Sequence, residues 1–123
     1  MLELYHNGMS VCSQKVRLVL VEKGLDYAAH HLDLRAGDQF PPEYRKLNPA
    51  AVVPTLVHDG AAIRESTVIM EYLDEVFPAV SLTPSDPLRR AHMRKLLRYF
   101  EEVPTPAVRY PSFNRVLIQG FAN

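Results

Sequence analysis

Asn48-Pro49-Ala50-Ala51-Val52-Val53-Pro54-Thr55-Leu56, followed closely by Arg64-Glu65-Ser66-Thr67, is the stretch that decides the fold. Pro54 stands directly before the apolar run Thr55-Leu56-Val57, which reads as a strand. Proline has no N–H for a sheet ladder, so it belongs at a strand's first residue, on an edge or at a bulge. A cis Val53-Pro54 bond would turn the chain sharply and leave the N–H and C=O of Val53 facing outward, where they can pair with an extended peptide. Glu65-Ser66 adds a carboxylate and a helix start nearby. Together these features describe a site for a small peptide carrying both an amine and a carboxylate.

Working outward, Leu2-Glu3-Leu4-Tyr5 alternates as a short strand. Val11 to Lys23 carries apolar residues at helical spacing, and Gly24 stands where a left-handed cap belongs. Tyr27 to Leu34 reads as a second strand, which makes a βαβ unit with a parallel pair. A short, irregular helix is expected within Gly37 to Leu47, its start blurred by Pro41-Pro42. His58-Asp59-Gly60 between Thr55–Val57 and Ala61–Ile63 signals a hairpin. Ser66 to Phe77 is an amphipathic helix with Ser66 as its expected N-cap, and Pro78 stops it. The order β-α-β, α, β-β-α predicts an α/β domain over residues 1–78: one four-stranded mixed sheet with helices on its faces, the thioredoxin-like arrangement. Residues 79–86 form a linker. Ser85 or Asp86 caps a further helix with Pro87 at its first position, running to about Val103. Residues 87–123 read as the beginning of an all-α second domain that this chain does not complete, with one more helix and irregular chain after the prolines at 104, 106 and 111.

Charge and composition narrow the function classes. Lysine plus arginine number 14, as do aspartate plus glutamate, so no net charge directs the chain to nucleic acid or to an acidic membrane. The basic helix at 88–98 is balanced by Glu101 and Glu102 and reads as a solvated face. A single cysteine allows no internal disulfide and suits a reducing compartment. The N-terminus lacks the basic and apolar regions of a signal peptide, and no apolar run approaches the length of a membrane span. His30 and His31 face opposite ways on one strand, and the other histidines are scattered, so no metal-binding spacing is present.

Ser10-Val11-Cys12-Ser13-Gln14-Lys15-Val16-Arg17, Glu22-Lys23-Gly24-Leu25, Asn48-Pro49, Val53-Pro54-Thr55-Leu56, Glu65-Ser66-Thr67 and Glu71-Tyr72-Leu73 occur in the order and spacing of a glutathione S-transferase. The chain resembles that family closely over residues 1–78 and more loosely over 87–117. The Ser-x-Cys-Ser start is similar to serine-type, zeta-like transferases. The run from Arg64 to Leu73 with Ser85-Asp86-Pro87 is similar to bacterial etherase-type transferases. The resemblance implies a cytoplasmic homodimer that uses glutathione as co-substrate and takes a small-molecule electrophile, with no metal, nucleic acid or membrane partner. It further implies that Val53, before a cis Pro54, pairs by backbone with the cysteinyl unit of glutathione. Glu65 and Ser66 would bind the γ-glutamyl end, and Gln39 the glycine carboxylate. In one departure, Val52 stands where many relatives carry glutamine.

The chemistry needs the glutathione sulfur as a thiolate, because the thiol is a poor nucleophile. Ser10 and Ser13 both lie near the start of the first helix, where a hydroxyl can donate to the sulfur and the helix dipole favours negative charge. The zeta-like pattern favours Ser10 and the etherase-like pattern favours Ser13, and one of the two is expected to be an N-cap. Cys12 offers a different chemistry, a mixed disulfide with glutathione, against the plainer reading of a buried, inert thiol. Two other functions therefore stand beside transferase activity: a non-catalytic binding module with this fold, and a glutathione-dependent thiol–disulfide oxidoreductase working through Cys12. Tyr5, Tyr99 and Tyr110 are candidates for the second-substrate pocket, with core packing as the alternative.

Overall fold

Strand β1 (Leu2–His6) lies inside the sheet, and its alternation serves two covered faces: Leu2, Leu4 and His6 are buried on one side, while Glu3 and Tyr5 point to the other. A computed structural model describes residues 1–112. After β1 come α1 (Val11–Glu22), β2 (Ala28–His31), α2 (Pro42–Leu47), β3 (Thr55–His58), β4 (Ala61–Arg64), α3 (Ser66–Val76), α4 (Pro87–Glu102) and α5 (Pro104–Ser112). The strands form one sheet in the order β2-β1-β3-β4. β2 runs parallel to β1, as a helical crossover requires, and the β1–β3 and β3–β4 pairs are antiparallel. This is the thioredoxin-like mixed sheet.

Helices α1 and α3 pack together on one face, where Leu2, Leu4, Val16, Leu20, Leu56, Ile69 and Leu73 form the core. Each of these large apolar side chains contributes on the order of 1.5–3 kcal/mol by leaving water. The opposite face is covered by α2, whose buried Tyr44 lies 5.6 Å from Tyr5, ring centre to ring centre. Gly24 ends α1 with φ of +64°, a conformation that costs glycine little.

Two element readings need correction, the extent of β2 and the N-cap of α3. β2 covers only Ala28–His31, and residues beyond Leu32 turn instead of extending, with Asp33 accepting hydrogen bonds from the N–H groups of Arg35 and Ala36. The short helix expected within Gly37 to Leu47 occupies Pro42–Leu47, beginning at a proline whose missing N–H a first turn does not need. Ser66 is not the N-cap of α3. Glu65 holds that position, with φ of +71° and no side-chain capping bond, and Ser66 is the first helical residue. The expected cap of α4 is Asp86, whose carboxylate accepts from the Arg89 N–H at 2.9 Å. Helix α4 ends at Glu102, next to the expected Val103, and one more helix follows, as expected. The chain breaks at Val103, and α5 starts at Pro104 with both prolines in its first turn. The irregular chain expected toward Asn123 lies outside the described residues.

One buried ion pair joins α1, α3 and the linker. Lys23 Nζ lies 2.6 Å from Asp74 Oδ1 and also donates to the Val80 carbonyl. Asp74 accepts from the N–H groups of Leu82 at 2.8 Å and Thr83 at 2.9 Å. Burial alone would raise the Asp74 pKa. Hydrogen bonds from Lys23, Thr83 and Leu82, with the Lys23 charge, outweigh it and hold the carboxyl at about 2, below its ordinary 3.8. A second ion pair, Lys15 with Glu101, ties α1 to α4.

Candidate functional site

The site is built on a loop that the sheet alone would not hold. Asn48 is buried; its Nδ2 donates to the Val52 carbonyl at 3.1 Å and to Thr55 Oγ1 at 3.0 Å, and its Oδ1 accepts from the Ala50 N–H at 3.1 Å. The Tyr44 hydroxyl donates to the same Val52 carbonyl at 2.5 Å and pairs with Thr55 Oγ1 at 2.8 Å. Burial, above all, pushes the Tyr44 pKa up and keeps the phenol protonated as a donor. The Val53-Pro54 peptide bond is cis. Among the described residues, neither the N–H nor the C=O of Val53 has a hydrogen-bond partner. Sequence reasoning passed over Tyr44 and Thr55 as parts of this site. A tyrosine on the short helix before Asn-Pro, with a threonine opening the strand, was the available signal.

At the start of α1, Ser10 is the N-cap: its Oγ accepts from the Ser13 N–H at 3.2 Å, and its own proton has no acceptor among the described residues. The Val11 and Cys12 N–H groups of the first turn are likewise uncommitted. Ser13 is fully buried beneath them, its Oγ accepting from the Asn7 N–H at 3.3 Å. Cys12 is half-buried, not sealed in the core.

These parts meet in one cleft of about 370 Å³ between the sheet's loops and α5. Ser10, Cys12, Gln39, Val53, Pro54, Glu65 and Ser66 all line it, whereas Ser13 does not. Of the three candidate tyrosines only Tyr110 reaches the cleft. Tyr5 stacks on His30 at 4.5 Å, and Tyr99 lies against Phe100. Gln39 is buried, its Nε2 donates to the Leu34 carbonyl at 3.3 Å, and its Oε1 has no partner. In this orientation the free atom is an acceptor, which suits a ligand N–H and not a carboxylate. Asn7, Thr105 and Arg109 also line the cleft and were not foreseen as site residues. Arg109 follows from no local motif; only the packing of α5 on α1 brings it there.

The cleft offers the unpaired backbone N–H and C=O of Val53, and at one end a hydroxyl donor and a helix N-terminus. The fold is that of the thioredoxin-like proteins, with this cleft at the start of α1 and the loops before β3 and α3. Residues 9–76 match the family model "Glutathione S-transferase, N-terminal domain", and the chain belongs to that family. It is 44% identical over 93 residues to a probable maleylacetoacetate isomerase of Caenorhabditis elegans, covering 76% of this chain and 43% of that protein. Among solved structures it is similar to the beta-etherase LigF of Sphingobium sp. strain SYK-6, with TM-score 0.78 and 42% identity over 82% of this chain and 42% of that one. It is also similar to a glutathione transferase homologue from sulfitobacter solved with bound glutathione, with TM-score 0.77 and 29% identity over 83% of this chain and 49% of that one. The matched part of the chain therefore covers less than half of each of these proteins. Among the described residues, no helix is long and apolar enough to cross a membrane.

Proposed function

We propose that this chain is the glutathione-binding part of a glutathione transferase that activates the glutathione thiol for attack on an electrophilic small molecule. The observation that carries the reading is the convergence of Ser10, Val53, Glu65 and Ser66, from four separate segments, on one cleft. In this reading the free N–H and C=O of Val53 pair with the cysteinyl unit. The Glu65 carboxylate takes the γ-glutamyl amine, and Ser66 with the α3 N-terminus takes the γ-glutamyl carboxylate. Gln39 Oε1 accepts from a ligand amide N–H, a change from the carboxylate role first expected of it.

The sulfur then lies at the α1 N-terminus, where Ser10 donates its free hydroxyl proton in a hydrogen bond and the Val11 and Cys12 N–H groups add positive potential. These lower the thiol pKa, and its proton passes to solvent. The thiolate forms a carbon–sulfur bond as the bond to the leaving group breaks, and that group departs with the bonding pair. Ser10 is preferred over Ser13 because Ser13 is buried and its oxygen is engaged by Asn7. The protein works, on this reading, as a homodimer in the cytoplasm.

The test is the ultraviolet difference band of bound thiolate across a pH titration. Ser10→Ala should raise the bound thiol's pKa by about one unit or more, since one unit corresponds to 1.36 kcal/mol and a charge-assisted hydrogen bond is worth that much. Cys12→Ala should leave it unchanged. A pKa moved by Ser13→Ala and not by Ser10→Ala would reverse the assignment. Loss of glutathione-dependent disulfide reduction in Cys12→Ser would favour the oxidoreductase instead.

A further inference from the structure

The two sides of the cleft differ in chemistry. The groups assigned above to glutathione all come from the thioredoxin-like part. The α4–α5 side presents Glu101, Thr105, Pro106, Arg109 and Tyr110. Glu101 is paired with Lys15 across the helices, and Thr105 is buried. Arg109 has no ion-pair or hydrogen-bond partner among the described residues, and it is the one cationic side chain they contribute to the cleft. It stands in α5 after Pro106, next in sequence to Tyr110, which also lines the cleft.

A guanidinium is always charged and presents a planar fork that matches a carboxylate. Tyr110 and Pro106, which line the same cleft, offer flat apolar surface at small entropic cost. We infer that the electrophile taken at this site carries an anionic group, a carboxylate first of all, on an apolar or aromatic body, and that Arg109 is the specificity-determining residue that holds it. This rests on the glutathione reading above, which leaves Arg109 facing the second substrate. The same guanidinium could instead meet a carboxylate of glutathione itself, and the experiment separates the two sources.

Glutathione, S-benzylglutathione and S-(para-carboxybenzyl)glutathione are titrated calorimetrically into the 123-residue chain and into Arg109→Gln and Arg109→Lys. Because Arg109 is exposed, both variants should fold, and their thermal melts check this. The carboxylated conjugate should bind roughly three- to tenfold more tightly than the benzyl conjugate, the range of a partly solvated charge contact. Arg109→Gln should bring that ratio to one and leave glutathione affinity within about twofold, Arg109→Lys should keep part of the preference, and added salt should shrink it. A ratio of one in the parent overturns the inference. So does an Arg109→Gln variant that weakens glutathione as much as the carboxylated conjugate, which would assign Arg109 to glutathione. If neither glutathione nor its conjugates bind, the glutathione reading fails first and this inference falls with it; if they bind with no preference, only Arg109's role is lost.

Discussion

Glu65 shows how the site departs from local preference. Its φ of +71° and ψ of 118° lie outside the regions a side-chain-bearing residue ordinarily occupies. Such a conformation costs on the order of 1–3 kcal/mol and persists where surrounding structure enforces it, often at functional sites. Here the turn from β4 into α3 delivers the Glu65 side chain to the cleft. Glu65→Gly should therefore be more stable than Glu65→Ala by about 1–2 kcal/mol in chemical denaturation, since both lack the carboxylate and only alanine keeps the steric penalty. Both should lose glutathione binding. Equal stability of the two variants would show that the backbone there is unstrained. The sequence made Glu65 and Ser66 legible as a pair but assigned the cap to Ser66, because a serine before an apolar helix is the usual N-cap and nothing local signals a positive φ at glutamate. Gln39 was legible as a polar residue near the site. Which of its amide atoms is free depends on the Leu34 carbonyl, a contact that residue type cannot reveal.

At the scale of elements, the strands, the hairpin and the three long helices were readable because alternation, the Asp59-Gly60 turn and Gly24 each act within a few residues. The end of β2 and the placing of the last helix's start at Pro104 were not. One depends on the Asp33 turn and the other on α5 packing against α1. The Lys23–Asp74 pair was likewise hidden, since its partners are 51 residues apart. It fixes the linker through the Val80 carbonyl and the Leu82 and Thr83 N–H groups, so breaking it should loosen α4 and α5 from the sheet domain. Lys23→Met should cost about 3–5 kcal/mol, because it strands a buried carboxylate. The Asp74 pKa is lowered on folding, so its contribution is complete above the unfolded value near 3.8 and is lost as pH falls through about 2. The stability gap between parent and Asp74→Asn should be full at about pH 5 and shrink by about 2–3 kcal/mol toward pH 2. A gap independent of pH across that window would mean that the pair does not hold its charge in the folded state.

At the scale of the whole molecule, the sheet with α1 to α3 is followed by α4 and α5, which expose large apolar side chains beside their charged ones. Leu88, Leu96, Phe100, Val103 and Val108 on and between α4 and α5 are exposed, as are Leu18 and Val21 of α1. Surface of this kind favours association. The 123-residue chain should sediment as larger species as its concentration rises, and a monomer at every concentration would show that this face is not adhesive. The core and the cleft's sheet side do not depend on that behaviour, because the residues assigned to glutathione sit on the sheet domain and its loops. The central claim is that these residues hold glutathione, and amide NMR during a glutathione titration tests it most directly. Saturable shifts in the millimolar range or below, centred on Ser10 to Cys12, Val53, Glu65 and Ser66 and much weaker with cysteinylglycine, are the predicted result; no shifts at millimolar glutathione, or shifts centred away from this cleft, would contradict it.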